Sequence, residues 1–241
     1  MYVKRLACSA LKRLSASRLG RCIILTGARQ TGKTTLLKRE FKNFEYFSFD
    51  EALERTTLTS KTSAWWFERG KRFVFDEVQK VPDFFGTVKA LIDNGPPELK
   101  IILSGSAQIR LMSGIRESLA GRSVSRELFP FVVEELAGSQ SRVLKAIFQA
   151  STNNQVISEL VNDLKQVLQT TPEVYAIQRA EEHLMAFGGM PYLMHLDNED
   201  ERWLWLAALS SRPRLYSTDL GIQSVLSGSF GFAIPLWMLW V

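Results

Sequence analysis

Cysteine is scarce in this chain: 241 residues contain two, Cys8 and Cys22. That is too few for a disulfide framework and points to a reducing, cytoplasmic setting, with Cys22 read as a buried thiol. Acid is absent from residues 1–39, which hold ten Lys or Arg and no Asp or Glu. The remainder carries twenty bases against twenty-five acids, so the net charge of +5 conceals a strongly basic beginning. Charge of either sign is absent from residues 220–241, and Phe230 to Val241 is a nearly all-apolar dozen with Pro235 and two tryptophans. A membrane helix needs about twenty apolar residues. Gly221, Gln223, Ser224, Ser227, Gly228 and Ser229 dilute this stretch to a length suited to a core or a partner-covered interface, so membrane association is not expected. No internal repeat or low-complexity tract is present.

An Arg- and Ser-containing, acid-free N-terminus has the composition of a transit peptide, yet the first strand begins by residue 22 and leaves little to cleave. Leu6, Leu11 and Leu14 suggest a short amphipathic helix packing on the domain instead. Nearly half the residues are apolar, so a chain of this length can bury a real core.

The apolar run Cys22-Ile23-Ile24-Leu25 leads into Gly27-Ala28-Arg29-Gln30-Thr31-Gly32-Lys33-Thr34, two glycines flanking four residues and followed by Lys and Thr. This is the phosphate-loop pattern, with a strand before it and a helix-like run from Thr35 after it. Gly27 and Gly32 let the backbone approach an anion, the intervening N–H groups point inward, and the helix starting near Lys33 adds its positive end. Lys33 is expected to reach the β- and γ-phosphates and the Thr34 hydroxyl to ligate magnesium. Gly27 to Thr35 are thus the nucleotide-binding set, with Arg29 and Gln30 on the loop exterior.

Further strands are expected over Phe44 to Phe49, Phe73 to Phe75, Ile101 to Leu103 and Val124 to Phe129. Helices are expected over Pro82 to Ile92 and Ala107 to Leu119. Strands alternating with helices imply a parallel sheet covered on both faces, an α/β fold. After Pro130 the pattern becomes purely helical: Ile157, Leu160, Val161, Leu164 and Leu168 recur at helical spacing, and Thr171-Pro172 supplies an N-cap and first-turn proline for a helix through Leu184.

Phe73-Val74-Phe75 ends in Asp76-Glu77. Beside a phosphate loop, Asp76 is expected in the magnesium shell and Glu77 as the group that orients and deprotonates the attacking water. An adjacent base also argues against a small-molecule kinase. The fourth strand ends in Ser104-Gly105-Ser106 and is expected between the first and third, which makes Ser104 or Ser106 a candidate γ-phosphate sensor; a plain small-residue turn is the competing reading. Arg122 is the arginine best placed to act as a finger on a neighbouring subunit's γ-phosphate, with Arg116 and Arg126 as rivals and a cationic helix cap as an equal alternative.

Five motifs in order resemble the AAA-type P-loop ATPases of bacteria and archaea that usually carry a C-terminal nuclease-like domain: residues 27–36, Phe-Asp-Glu-Val-Gln-Lys-Val-Pro at 75–82, Leu-Ser-Gly-Ser at 103–106, Ser-Leu-Ala-Gly-Arg at 118–122 and Gly-Gly-Met-Pro at 188–191. The resemblance implies an AAA (ASCE-type) core over 1–130, a small helical lid over 131–196 and ATP hydrolysis with magnesium. It thins beyond His195, and 197–241 reads as a degenerate or truncated segment. Mg-dependent ATP hydrolysis is the leading expectation, with DNA, a partner protein or further copies of the chain as partners. A nucleotide-binding module without turnover is the alternative, and a P-loop kinase a third.

Overall fold

Alternating apolar strands that feed helices should stack into a parallel sheet with two buried faces. The computed structural model, which describes residues 2–106, 119–138 and 172–210, has this arrangement. Its five strands are β1 (Cys22–Thr26), β2 (Glu45–Ser48), β3 (Arg72–Asp76), β4 (Lys100–Ser104) and β5 (Val124–Glu127), ordered β2-β3-β4-β1-β5 and all parallel. β4 does lie between β1 and β3, as expected for a sheet of this kind.

The two-residue period of the strands sorts side chains between the faces. Cys22, Ile24, Phe73, Phe75, Ile101 and Leu103 enter one core, whereas Ile23, Leu25, Val74 and Ile102 enter the other. On the first face lie α4 (Ser63–Arg69) and α5 (Phe84–Asn94), the latter inserting Phe84, Phe85, Val88, Leu91 and Ile92. On the second lie α1 (Ala7–Ala16) and α2 (Lys33–Glu40), through Leu11, Leu36 and Leu37.

Trp66 of α4 is completely buried against Phe47, Phe73, Phe75 and Phe84, its ring centroid 5.0 to 6.0 Å from theirs. Neither α4 nor α3 (Ala52–Thr59) was expected from the sequence. α3 buries no residue fully and leaves Leu53 exposed; Leu58 alone among its larger apolar side chains packs on the core, too little to mark a stripe in the sequence. α4 has only seven residues, and its start is marked by the Thr62 hydroxyl accepting from the Trp65 N–H.

The N-terminal helix forms with one correction. Leu11 is buried and Leu14 packs beside it, but Leu6 precedes the first turn and is 48% exposed; Cys8 takes the inward position one turn before Leu11. Both cysteines are buried free thiols, and burial pushes Cys22 up to about 12.

Residues 5–129 form one compact unit, and the described residues from 130 onward belong to a second. The second contains α6 (Val133–Ala137), α7 (Pro172–Phe187) and α8 (Glu199–Ser210). α7 runs almost one turn beyond the expected Leu184. α8 was not expected; it buries Leu206 against Phe187, Met190 and Leu193. The Gly-Gly-Met-Pro motif has a structural use here: the Phe131 N–H donates to the Gly189 carbonyl at 2.6 Å, and a Cβ on Gly189 would sit 2.3 Å from the Phe131 carbonyl oxygen. The helix expected over 107–119 has only Leu119 among the described residues. The periodic stretch 157–168, Thr171, Arg116 and the tail 220–241 lie outside them. Among described residues no helix is long and apolar enough to cross a membrane.

Trp66→Ala is expected to lower folding free energy by about 3–5 kcal/mol in urea unfolding. The Trp66 indole N–H is buried without an acceptor, so Trp66→Phe should cost much less than Trp66→Ala. Equal losses for the two would contradict this reading of the aromatic core.

Candidate nucleotide site

β1 delivers the chain to the upper edge of the sheet, and the turn that follows depends on close backbone approach. A Cβ on Gly27 would meet the Leu128 carbonyl oxygen at 2.3 Å, so only glycine fits between the loop and the chain leaving β5. Gln30 and Gly32 take positive φ values of 64° and 88°, and α2 begins at Lys33. Thr31 folds inward and donates its hydroxyl to the Ala28 carbonyl at 2.9 Å. Arg29 and Gln30 are exposed, on the outside of the loop.

Arg5, from the segment before α1, is 5% exposed and donates to the Thr31 carbonyl at 2.7 Å and to the Phe129 carbonyl. Its guanidinium therefore ties the loop to the chain just after β5. Sequence reasoning missed it, because one arginine among ten early cations carries no mark of its partner.

Lys33 is 7% exposed, and its ammonium donates to the Gly27 carbonyl at 3.0 Å and the Ala28 carbonyl at 2.7 Å. Burial lowers its pKa, Glu77 and Asp76 oppose that shift, and Arg29 adds to it. A cation held in this way is stabilised by an arriving anion.

Asp76 closes the other side. It is 1% exposed, and its Oδ2 accepts from the Thr34 hydroxyl and from the Tyr46 hydroxyl, each at 2.6 Å. Its Oδ1 accepts from the Glu77 N–H at 3.1 Å. Tyr46 was also missed by the sequence reading, since a tyrosine in an expected strand reads as packing. Burial first, and the bond to Asp76 second, push its hydroxyl well above the ordinary value, so it remains a donor. Lys38, one helical turn after Thr34, lies over the Tyr46 ring at 4.6 Å.

Glu77 leaves the strand with a left-handed backbone, φ 58° and ψ 34°, an arrangement that costs about 1–2 kcal/mol for a residue with a Cβ. Its carboxylate accepts from the Gln79 amide. Ser104 lies opposite Leu25 in the β1–β4 register, one position beyond the Phe75–Leu103 pair. The alternation that sends Val74 and Ile102 to the α2 side sends Asp76 and Ser104 there too. Ser104 is fully buried and its hydroxyl has no hydrogen-bond partner among the described residues. Ser106 is half-buried beyond Gly105, whose N–H donates to the Leu25 carbonyl.

The structure therefore brings Lys33, Thr34, Asp76, Glu77 and Ser104 to one edge of the sheet. Arg122 has a partner within its own unit: it holds Asp93 of α5 through Nε at 2.6 Å and Nη2 at 3.2 Å, and also reaches the Ala120 carbonyl. A role on a neighbouring subunit would require leaving Asp93. Arg126 is exposed and bonds the adjacent Ser125 carbonyl.

The donor set fits a nucleotide with magnesium. Thr34 and Asp76 offer hard oxygens, and among the described residues no group of three or more His, Cys, Asp or Glu forms a cage. A magnesium ion that keeps most of its waters suits one or two protein oxygens. The orphaned Ser104 hydroxyl supplies a further polar group on the face shared with Asp76.

Residues 20–137 match the family described as an AAA domain. The fold is that of the α/β P-loop NTPases: a parallel sheet, helices on both faces, and a glycine-rich loop between β1 and α2. Uncharacterized proteins of Mycobacterium tuberculosis and Mycobacterium bovis are each 32% identical over 144 residues, which is 56% of this chain. The matched region spans about a third of those relatives (32%). Among solved structures, a Walker-type ATPase of Pyrococcus abyssi is 16% identical with a TM-score of 0.46, over 96% of this chain and 70% of that one. The PCH-2 protein of C. elegans is 15% identical with a TM-score of 0.36, over 92% and 61%. Likeness at these scores carries no argument beyond itself.

Tyr46→Phe removes one donor from a buried carboxylate and should lower stability by about 1.5–3 kcal/mol in urea unfolding; no measurable change would mean that the bond contributes nothing. Lys33→Met, without nucleotide, should raise stability by on the order of 1 kcal/mol by removing a buried cation. Because the folded-state pKa of Lys33 is lowered, the unfolded chain binds more protons and parental stability rises with pH toward the usual lysine range. The advantage of the Met variant should therefore be largest at neutral pH and shrink as alkali is added, as a thermal melt series across pH would show.

Proposed function

We propose that this chain binds ATP with magnesium and hydrolyses it. The observation that carries the reading is the Thr34–Asp76 hydrogen bond of 2.6 Å beside the buried Lys33, with Glu77 next in sequence. Residues 27–35 wrap the phosphates with backbone N–H groups and the positive end of α2. Lys33 exchanges its two loop carbonyls for phosphate oxygens, which relieves the cost of its burial. Thr34 and Asp76 would hold the metal, whose charge would sit beside the phosphates. Magnesium, when bound, neutralises charge building on the phosphate oxygens.

Glu77 orients and deprotonates the attacking water, and the Ser104 hydroxyl, with Ser106 beyond it, senses the terminal phosphate. Arg122 acts in trans only where a second copy draws it away from Asp93. What the ATP cycle drives belongs to the whole protein, and DNA, a partner protein or other copies of this chain are the proposed recipients.

A second reading, nucleotide binding without turnover, is favoured by one observation: the Gln79 amide occupies the Glu77 carboxylate that would hold the water. The two readings separate cleanly. Lys33→Ala should abolish ATP binding and turnover together, whereas Glu77→Gln should keep binding and lose turnover by about 10²–10⁴-fold. Parental turnover no faster than that of Lys33→Ala, with ATP bound tightly, would establish the binding module instead.

A further inference from the structure

A cavity of about 300 Å³ opens at the opposite end of the sheet from the phosphate loop. Arg72 and Lys100, which line it, are the first residues of β3 and β4, the strands that end in Asp76 and Ser104. Four strand steps, about 13 Å at 3.3 Å per residue, separate the two ends. Ligands of open α/β sheets gather at the carboxyl ends of the strands, so this cavity belongs to a different site.

Its chemistry is cationic. Lys12 from α1 joins Arg72 and Lys100 in the lining, over a floor that includes Phe41 and Phe44. Glu40 is the carboxylate in that lining, and it already accepts from Lys12 at 2.6 Å and from the Cys8 thiol at 3.1 Å. Arg72 is exposed, and no carboxylate among the described residues pairs with it. Burial lowers the Lys100 pKa, and the nearby charges of Arg21 and Arg72 lower it further. With Lys12 paired to Glu40, Arg72 and Lys100 remain as like charges around the concavity, and such an excess favours an anion.

The cations also continue outside the cavity. Arg13 and Arg18, beside the lining residues of α1, and Lys42, between Phe41 and Asn43, are exposed. Acids nearby are already engaged, Glu45 with Arg69 and Glu98 with Lys71. A small phosphorylated ligand would use the cavity alone, whereas a string of phosphates could also reach these exposed cations next to the lining residues.

We propose that the cavity at the amino ends of β3 and β4 is a second anion site, which receives backbone phosphates of a nucleic-acid strand through Lys12, Arg72 and Lys100. The site is independent of the nucleotide loop, although α2 and β3 each run from one to the other. Affinity at such a site falls with salt, with a log–log slope of about 0.7 per single-strand phosphate contact.

The test is fluorescence anisotropy of a labelled single-stranded 20-mer oligonucleotide on the full chain, across a salt series. Arg72→Gln should weaken binding several-fold and reduce the slope by about 0.7, and Arg72→Gln combined with Lys100→Gln should weaken it at least tenfold and reduce the slope by about 1.4. Lys89→Ala, which removes an exposed cation of α5 away from the cavity, should change the affinity less than twofold. Arg72→Gln keeps the test interpretable if the Lys100 change disturbs folding, because Lys100 also donates to the Ser17 carbonyl. Excess ATP should not displace the oligonucleotide, and Lys33→Ala should still bind it, so failure of the ATPase reading leaves this outcome intact. The proposal is overturned if the parent binds no oligonucleotide, if Lys89→Ala weakens binding as much as Arg72→Gln, or if inorganic phosphate alone occupies the cavity while the strand does not.

Discussion

One carboxylate oxygen holds the site together. Asp76 Oδ2 receives the Thr34 hydroxyl from the first turn of α2 and the Tyr46 hydroxyl from β2, while β3 supplies the carboxylate itself. Three elements that are distant in sequence therefore meet at a single acceptor. A buried carboxylate without donors would be very costly, so this network fixes how α2 sits over the sheet and hence where the phosphate loop opens. Arg5 performs the matching task on the far side of the loop, through carbonyls at Thr31 and Phe129. The loop is held at both sides before any ligand arrives.

Much of this was legible in the sequence for physical reasons. Apolar runs of three to five residues, each followed by helical periodicity, can only become a parallel sheet with two covered faces, and the register places β4 between β1 and β3. The phosphate loop was legible because its glycines are a backbone requirement: Gly27 cannot carry a Cβ against Leu128. Asp76 and Glu77 were legible because the apolar strand that ends in them follows a phosphate loop; without that loop two acids after an apolar run are common surface chemistry.

Other parts were illegible because no periodicity or motif marks them. α3 has no fully buried residue, and α4 is too short to show a buried face. Leu6 looked like part of the α1 stripe, yet the helix starts one residue later and Cys8 takes the inward position. Arg5 and Tyr46 act through partners 26 and 30 residues away, and only the fold reveals which arginine or tyrosine has such a partner. Glu199–Ser210 lay in a stretch read as degenerate, where Trp203 and Trp205 turn out to pack beside the buried Leu206.

The site also shows how a fold can hold itself ready for an anion. Lys33 is buried, donates to the loop's own carbonyls at Gly27 and Ala28, and is pushed away from its charged form by that burial. Glu77 carries a left-handed backbone, and the Ser104 hydroxyl is buried with no partner among the described residues. Each of these costs folding free energy, and the costs at Lys33 and Ser104 are relieved by a group that brings negative charge or a hydrogen-bond partner to the same edge of the sheet. The aromatic cluster around Trp66 and the two covered sheet faces supply the stability that offsets those costs. The two covered faces and the costly groups at the sheet's edge are thus parts of one balance, and that edge is where the phosphate loop opens.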